Sequence, residues 1–143
     1  MTIFAIVEPK LRRIRTGDFT DYKAAVESTG LSTGELDFGT IARWRDGRTL
    51  SIIVYEYGLL KPDPKAFFSL NGQLFNGNAV LFMADEEGET ISLNPSIAKQ
   101  LEPDCALFKW YANPSEVEAA IVAGEIVRPQ SAVNGKIFWE WKP

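Results

Sequence analysis

The stretch "SLNGQLFNGNAVLF", Ser69 to Phe82, decides how this chain is read, because it holds Asn-Gly twice, at Asn71-Gly72 and Asn76-Gly77. Each pair is the preferred filling of a two-residue hairpin turn, whose central positions need the positive φ that Asn and Gly tolerate best. Were both such turns, the strand between them would be only Gln73, Leu74 and Phe75, shorter than sheets ordinarily use. Taking Asn71-Gly72 as the turn pairs Leu70 with Gln73, Phe68 with Phe75 and Phe67 with Asn76. Phe68, Leu70 and Phe75 then share the core face, while Phe67, Asn76 and Asn78 share the other. Gly77 falls inside a strand, where glycine marks a bulge or a close approach to the backbone. The alternative makes Asn76-Gly77 the hairpin turn and Asn71-Gly72 a loop, and it needs no ligand.

On the first register an aromatic ring, two amides and accessible backbone stand together, a set that suits a nucleobase and its ribose. The candidate residues are Phe67, Asn76 and Asn78, with Phe68 in place of Phe67 if the register moves by one. A second cluster lies upstream. Arg43 and Arg45 bracket Trp44, and Arg48 follows the turn "RDGR"; guanidinium forks match a phosphate bidentately. The plainer alternative for these arginines is solvated charge on an edge strand. Arg128, before Pro129, is a further candidate of the same kind.

Outward from these clusters the pattern is of short elements. "IFAIVE" (Ile3 to Glu8) and "LRRIRT" (Leu11 to Thr16) read as an opening hairpin. Asp18 caps a helix ending near Ser28, with Gly30 as its stop. Glu35 to Trp44 and Thr49 to Tyr57 read as a hairpin turning at Arg45-Asp46-Gly47-Arg48 and forming the centre of the sheet. "DEEGE" (Asp85 to Glu89) is a polar turn, Asn94 starts a short helix through Leu101, and Ser115 to Ala123 makes another, with Glu118 completing a capping box. "KIFWEWKP" reads as a last, aromatic strand. The fold class is α+β: one mainly antiparallel sheet of about six to eight strands with two or three short helices packed on it, in a single domain spanning residues 1–143.

Composition bounds the function. The chain has 143 residues, 45% of them hydrophobic, and a net charge of −4, which argues against non-specific nucleic-acid binding. Its longest apolar run, "AVLFMA", is far short of the ~20 residues that span a bilayer, and no signal peptide is read at the start. A cytoplasmic location without membrane contact is therefore expected. Cys105 is the only cysteine and no histidine occurs, so the commonest general base and the imidazole ligands of metals are missing. No cofactor is expected. A metal-dependent nuclease or phosphodiesterase built on Asp63, Asp85 and Glu86 is the enzymatic alternative.

The order "IVEP", a helix, "SIIVYEYGLL", then "LNGQLFNGNAVLF", "ADEEGE" and "ISL" resembles a family of small domains of unknown function found in phages and mobile elements, over Ile3 to Leu93. Small phage proteins of this build include anti-defence sponges, such as the anti-Thoeris proteins that bind cyclic ADP-ribose isomers. What the resemblance implies is a phage-encoded, non-enzymatic binder that sequesters a small cyclic nucleotide signal in the host cytoplasm. The competing expectation is a protein-binding inhibitor or adaptor acting on a host defence protein through a sheet edge or through "FWEW". A homo-oligomer is expected in either case, because so short a chain offers little concave surface of its own.

Overall fold

The computed structural model describes residues 2–30, 36–55, 66–70, 72–101 and 108–126. Strands β1 (Thr2–Glu8) and β2 (Arg13–Phe19) form the opening hairpin, joined by a 3-10 turn at Pro9–Leu11 and by Arg12 in the left-handed region at φ 48°. The Glu8 carboxylate closes this hairpin, accepting from Arg13 at 2.9 Å and from Arg15 at 2.8 Å. Because β2 runs on to Phe19, which pairs with Thr2 and packs edge-on against Phe4, helix α1 (Tyr22–Ser28) starts later than expected. Its cap is Asp21, which accepts from Ala24 N–H at 3.0 Å, rather than Asp18. Strands β3 (Leu36–Arg43) and β4 (Thr49–Tyr55) make the second hairpin.

The stretch around the two Asn-Gly pairs forms β5 (Phe67–Leu70) and β6 (Gln73–Asn76), paired Leu70 to Gln73, Phe68 to Phe75 and Phe67 to Asn76. Gly72, at φ +83°, thus turns the chain between Leu70 and Gln73. Asn76 is the last residue of β6, and Gly77 lies beyond the strand rather than inside it, at φ +84°. Its N–H donates to Ala66 O at 2.9 Å, the final rung of this ladder, before the chain crosses to β7 (Ala79–Ala84). The second Asn-Gly is therefore a passage between two sheets.

One sheet was expected and two are found. The larger runs β2-β1-β7-β4-β3, with the short β8 (Thr90–Ile91) also on β7; the smaller runs β6-β5-β9, with β9 at Phe108–Tyr111, and every pairing is antiparallel. The centre of the larger sheet is β7, flanked by β1 and β4, while β3 is an edge among the described residues. Helices α2 (Pro95–Gln100) and α3 (Pro114–Val122) complete the described elements. Asn94 and Asn113 cap them; because Pro114 takes the first helical position of α3, its cap is Asn113 rather than Ser115, and Glu116, not Glu118, reaches back from the third position, accepting from Ala112 N–H just outside the cap.

Alternation along the strands sorts the side chains into layers. Phe4, Ile6, Ile53 and Val80 face α1 through Ala25 and Val26. Ala5, Val7, Ile52 and Leu81 face the smaller sheet through Phe68, Leu70 and Phe108, with Leu93, Ile97 and Leu101 of the α2 region closing the same core. The far face of the smaller sheet, Phe67, Leu74 and Tyr111, is covered by Val117 and Ala120 of α3 and by Ile126. The order of layers is helix, sheet, sheet, helix. No helix among the described residues is long and apolar enough to cross a membrane.

Candidate functional site

The tip of the β3–β4 hairpin is a stiff, basic turn. Trp44 N–H donates to Arg48 O at 2.9 Å and Gly47 N–H to Trp44 O at 3.1 Å, with Gly47 at φ +90°. Asp46 accepts from the Arg48 backbone N–H at 3.0 Å and from its Nε at 2.7 Å. The Arg48 backbone N–H above all, opposed by desolvation and aided by the Arg48 guanidinium, holds the exposed Asp46 carboxyl below its usual range. The Arg48 guanidinium lies 6.0 Å from the Trp44 ring centroid, at the outer limit of a cation–π contact. Trp44 is half-buried and packs on the inter-sheet core. Arg43 and Arg45 are exposed and have no ion-pair partner among the described residues. Two exposed cations therefore stand one residue to either side of a half-buried Trp44 on a hydrogen-bonded turn, a set of side chains able to grip a phosphate.

A second turn stands against this one. A Cβ on Gly47 would lie 2.7 Å from Glu86 Cβ, so the "DEEGE" turn abuts the arginine hairpin. Asp85 is committed to that turn, its carboxylate accepting from Glu87 and Glu89 N–H at 2.9 Å each. Among the described residues no three of His, Cys, Asp and Glu are placed to hold a metal ion, and Asp63 lies outside them. Nothing local in the sequence of either turn signals their contact.

The remaining candidates go elsewhere. Phe67 and Phe68 are both fully buried, so neither offers a ring face to a ligand; Phe67 was expected on an open face, but α3 covers it. Asn76, opposite Phe67, is nine-tenths buried. Asn78 is half-buried and its Nδ2 donates to Thr29 O at 3.1 Å, tying the inter-sheet passage to the end of α1. Arg128 lies outside the described residues. Arg43 sits beside Thr49 and, through it, Ala84, whereas Asn78 precedes the other end of β7. At a strand rise of ~3.3 Å per residue the two groups are about 17 Å or more apart. One chain does not bring the arginines and the asparagines onto one small ligand.

Glu8 is the other carboxyl held below its ordinary value. Burial raises it, but the hydrogen bonds and charges of Arg15 and Arg13 outweigh that. No family model, curated protein or solved structure matches the chain.

Proposed function

We propose that the protein is a non-enzymatic binder that sequesters a small (cyclic) nucleotide signal of a bacterial host, as its resemblance to phage proteins implies, with the Arg43–Arg48 turn as the gripping surface. The observation that carries this reading is the exposed pair Arg43 and Arg45, without ion-pair partners among the described residues, on either side of Trp44. The absence of histidine from the sequence favours binding over proton-transfer chemistry. The adjoining acidic turn and the net charge of −4 disfavour long polyanions, so the ligand class is a small anion rather than nucleic acid.

Calorimetry against a panel of cyclic and linear nucleotides tests this. Arg43→Ala and Arg45→Ala should each weaken binding by roughly 1.5 to 3 kcal/mol and reduce its salt dependence. Heating the complex should return the nucleotide intact. Recovery of a cleaved product, or no binding at micromolar concentration across the panel, overturns the proposal.

A second reading, a protein-binding inhibitor, is favoured by β3. Residues Asp37 to Thr40 are exposed on this edge, and Phe38 keeps 51% of its surface in contact with solvent. An edge of this kind accepts an added strand from another protein or from a second copy of the chain, the latter giving the expected homo-oligomer. Stoichiometric retention of a host protein in a pull-down from infected cells separates this reading from a sponge.

A further inference from the structure

Asn-Gly is the dipeptide most prone to deamidation, because glycine leaves its backbone nitrogen unhindered for attack on the asparagine side chain. The Gly77 nitrogen attacks Cγ of Asn76, a C–N bond forms and ammonia leaves. Water then opens the succinimide at either carbonyl to give aspartate or isoaspartate, with no change of oxidation state. Each requirement of the first step is opposed at this site. The Gly77 N–H is engaged with Ala66 O at 2.9 Å, so the nucleophile is held by the ladder. Asn76 is the terminal residue of β6, and the ring closes only after a rotation about its Cα–C bond that a strand residue is not free to make. The side chain is also nine-tenths buried, which keeps solvent from the reacting carbon.

The product does not fit where the reactant stood. A carboxylate at position 76 is placed opposite Phe67, whose surroundings are Leu74, Val117 and Ala120, and taking a charge out of water into that apolar cluster is costly. The isoaspartate form also adds a methylene to the main chain between the last paired residue and the Gly77–Ala66 rung. We propose that Asn76-Gly77 is a deamidation site gated by the fold: it is protected in the native hairpin, converts when that end of β5–β6 opens, and then prevents the hairpin from closing again.

Ageing the full chain in parallel, native and unfolded in urea at mildly alkaline pH, with peptide mapping of the segment containing Asn76, tests this. Conversion at Asn76 should be slower in the native protein by about tenfold or more, the factor that ~1.4 kcal/mol of opening free energy supplies. Asn71-Gly72 and Asn134-Gly135 act as references, converting in urea at rates like that of Asn76. Chains converted at Asn76 alone, separated by anion exchange, should fail to recover the native circular dichroism and cooperative unfolding when urea is diluted. Equal rates in the two states overturn the gate, and native refolding of the singly converted chains overturns the block on closure.

Discussion

Strands β5 and β3 both belong to hairpins that turn on a left-handed glycine, yet every residue of β5 is buried and none of β3 is. The difference is the number of layers around each. β5 lies in the middle of a three-stranded sheet pressed between the larger sheet and α3, so both faces of "FFSL" are core. β3 has β4 on one side and no other strand partner among the described residues. Chemistry therefore stays available on the β3–β4 hairpin and is used up for packing in β5–β6. Two-fold alternation along a strand says which side chains share a face, but not whether that face is covered.

Substitutions test that contrast. Phe67→Ala and Phe68→Ala should each destabilise by about 3 to 5 kcal/mol in urea unfolding, as buried aromatic truncations do. Phe38→Ala should cost about 1 kcal/mol or less, chiefly its edge-on contact with Tyr22 at 5.6 Å. A near-neutral Phe67→Ala would mean that α3 does not cover the second face. Gly47→Ala comes next, at roughly 2 kcal/mol, because the left-handed backbone costs about 1 to 2 kcal/mol for a residue with a Cβ and that Cβ meets Glu86. Asn78→Ala should lose about 1 kcal/mol of stability, the value of one hydrogen bond, with nucleotide affinity unchanged. A loss of affinity without loss of stability would instead return Asn78 to the binding surface.

The smallest effect is that of Glu8→Gln, which should cost up to about 1 kcal/mol at neutral pH as a largely surface ion-pair cluster. Its sign with pH is fixed by the shift. The folded carboxyl titrates below its unfolded value of 4.5, so the contribution is fully present above that value and fades as pH falls through the lowered folded value. Denaturation curves of wild type and variant should converge in acid, and a gap that persists there contradicts the assignment.

Local signals were readable in the sequence. The opening hairpin, the turn at Asp46-Gly47, the "DEEGE" turn, the Asn94 cap and the Leu70–Gln73 register all follow from residues within a few positions of one another. What escaped is set by long-range neighbours. The second sheet needs β9, more than 30 residues beyond β6, and "CALFKWY" carries no turn signal to announce a strand. The run Phe67-Phe68 was a hint, since consecutive apolar residues rather than alternating ones mark a strand buried on both faces. The arginine turn was visible as a cluster, but its acidic neighbour Glu86 was not, and the burial of Phe67 depends on a helix that begins at Pro114.

The position of β7 also carries a consequence for the order of assembly during synthesis. The β1–β2 and β3–β4 hairpins are made of neighbouring segments, and each can close as soon as it is made. Among the described residues they share no ladder with one another, and the strand that pairs with both is Ala79–Ala84. Until that segment has left the ribosome the N-terminal half consists of separate hairpins with their sticky edges open, and loop closure across more than 70 residues from Val7 to Ala79 governs how fast the sheet is sealed.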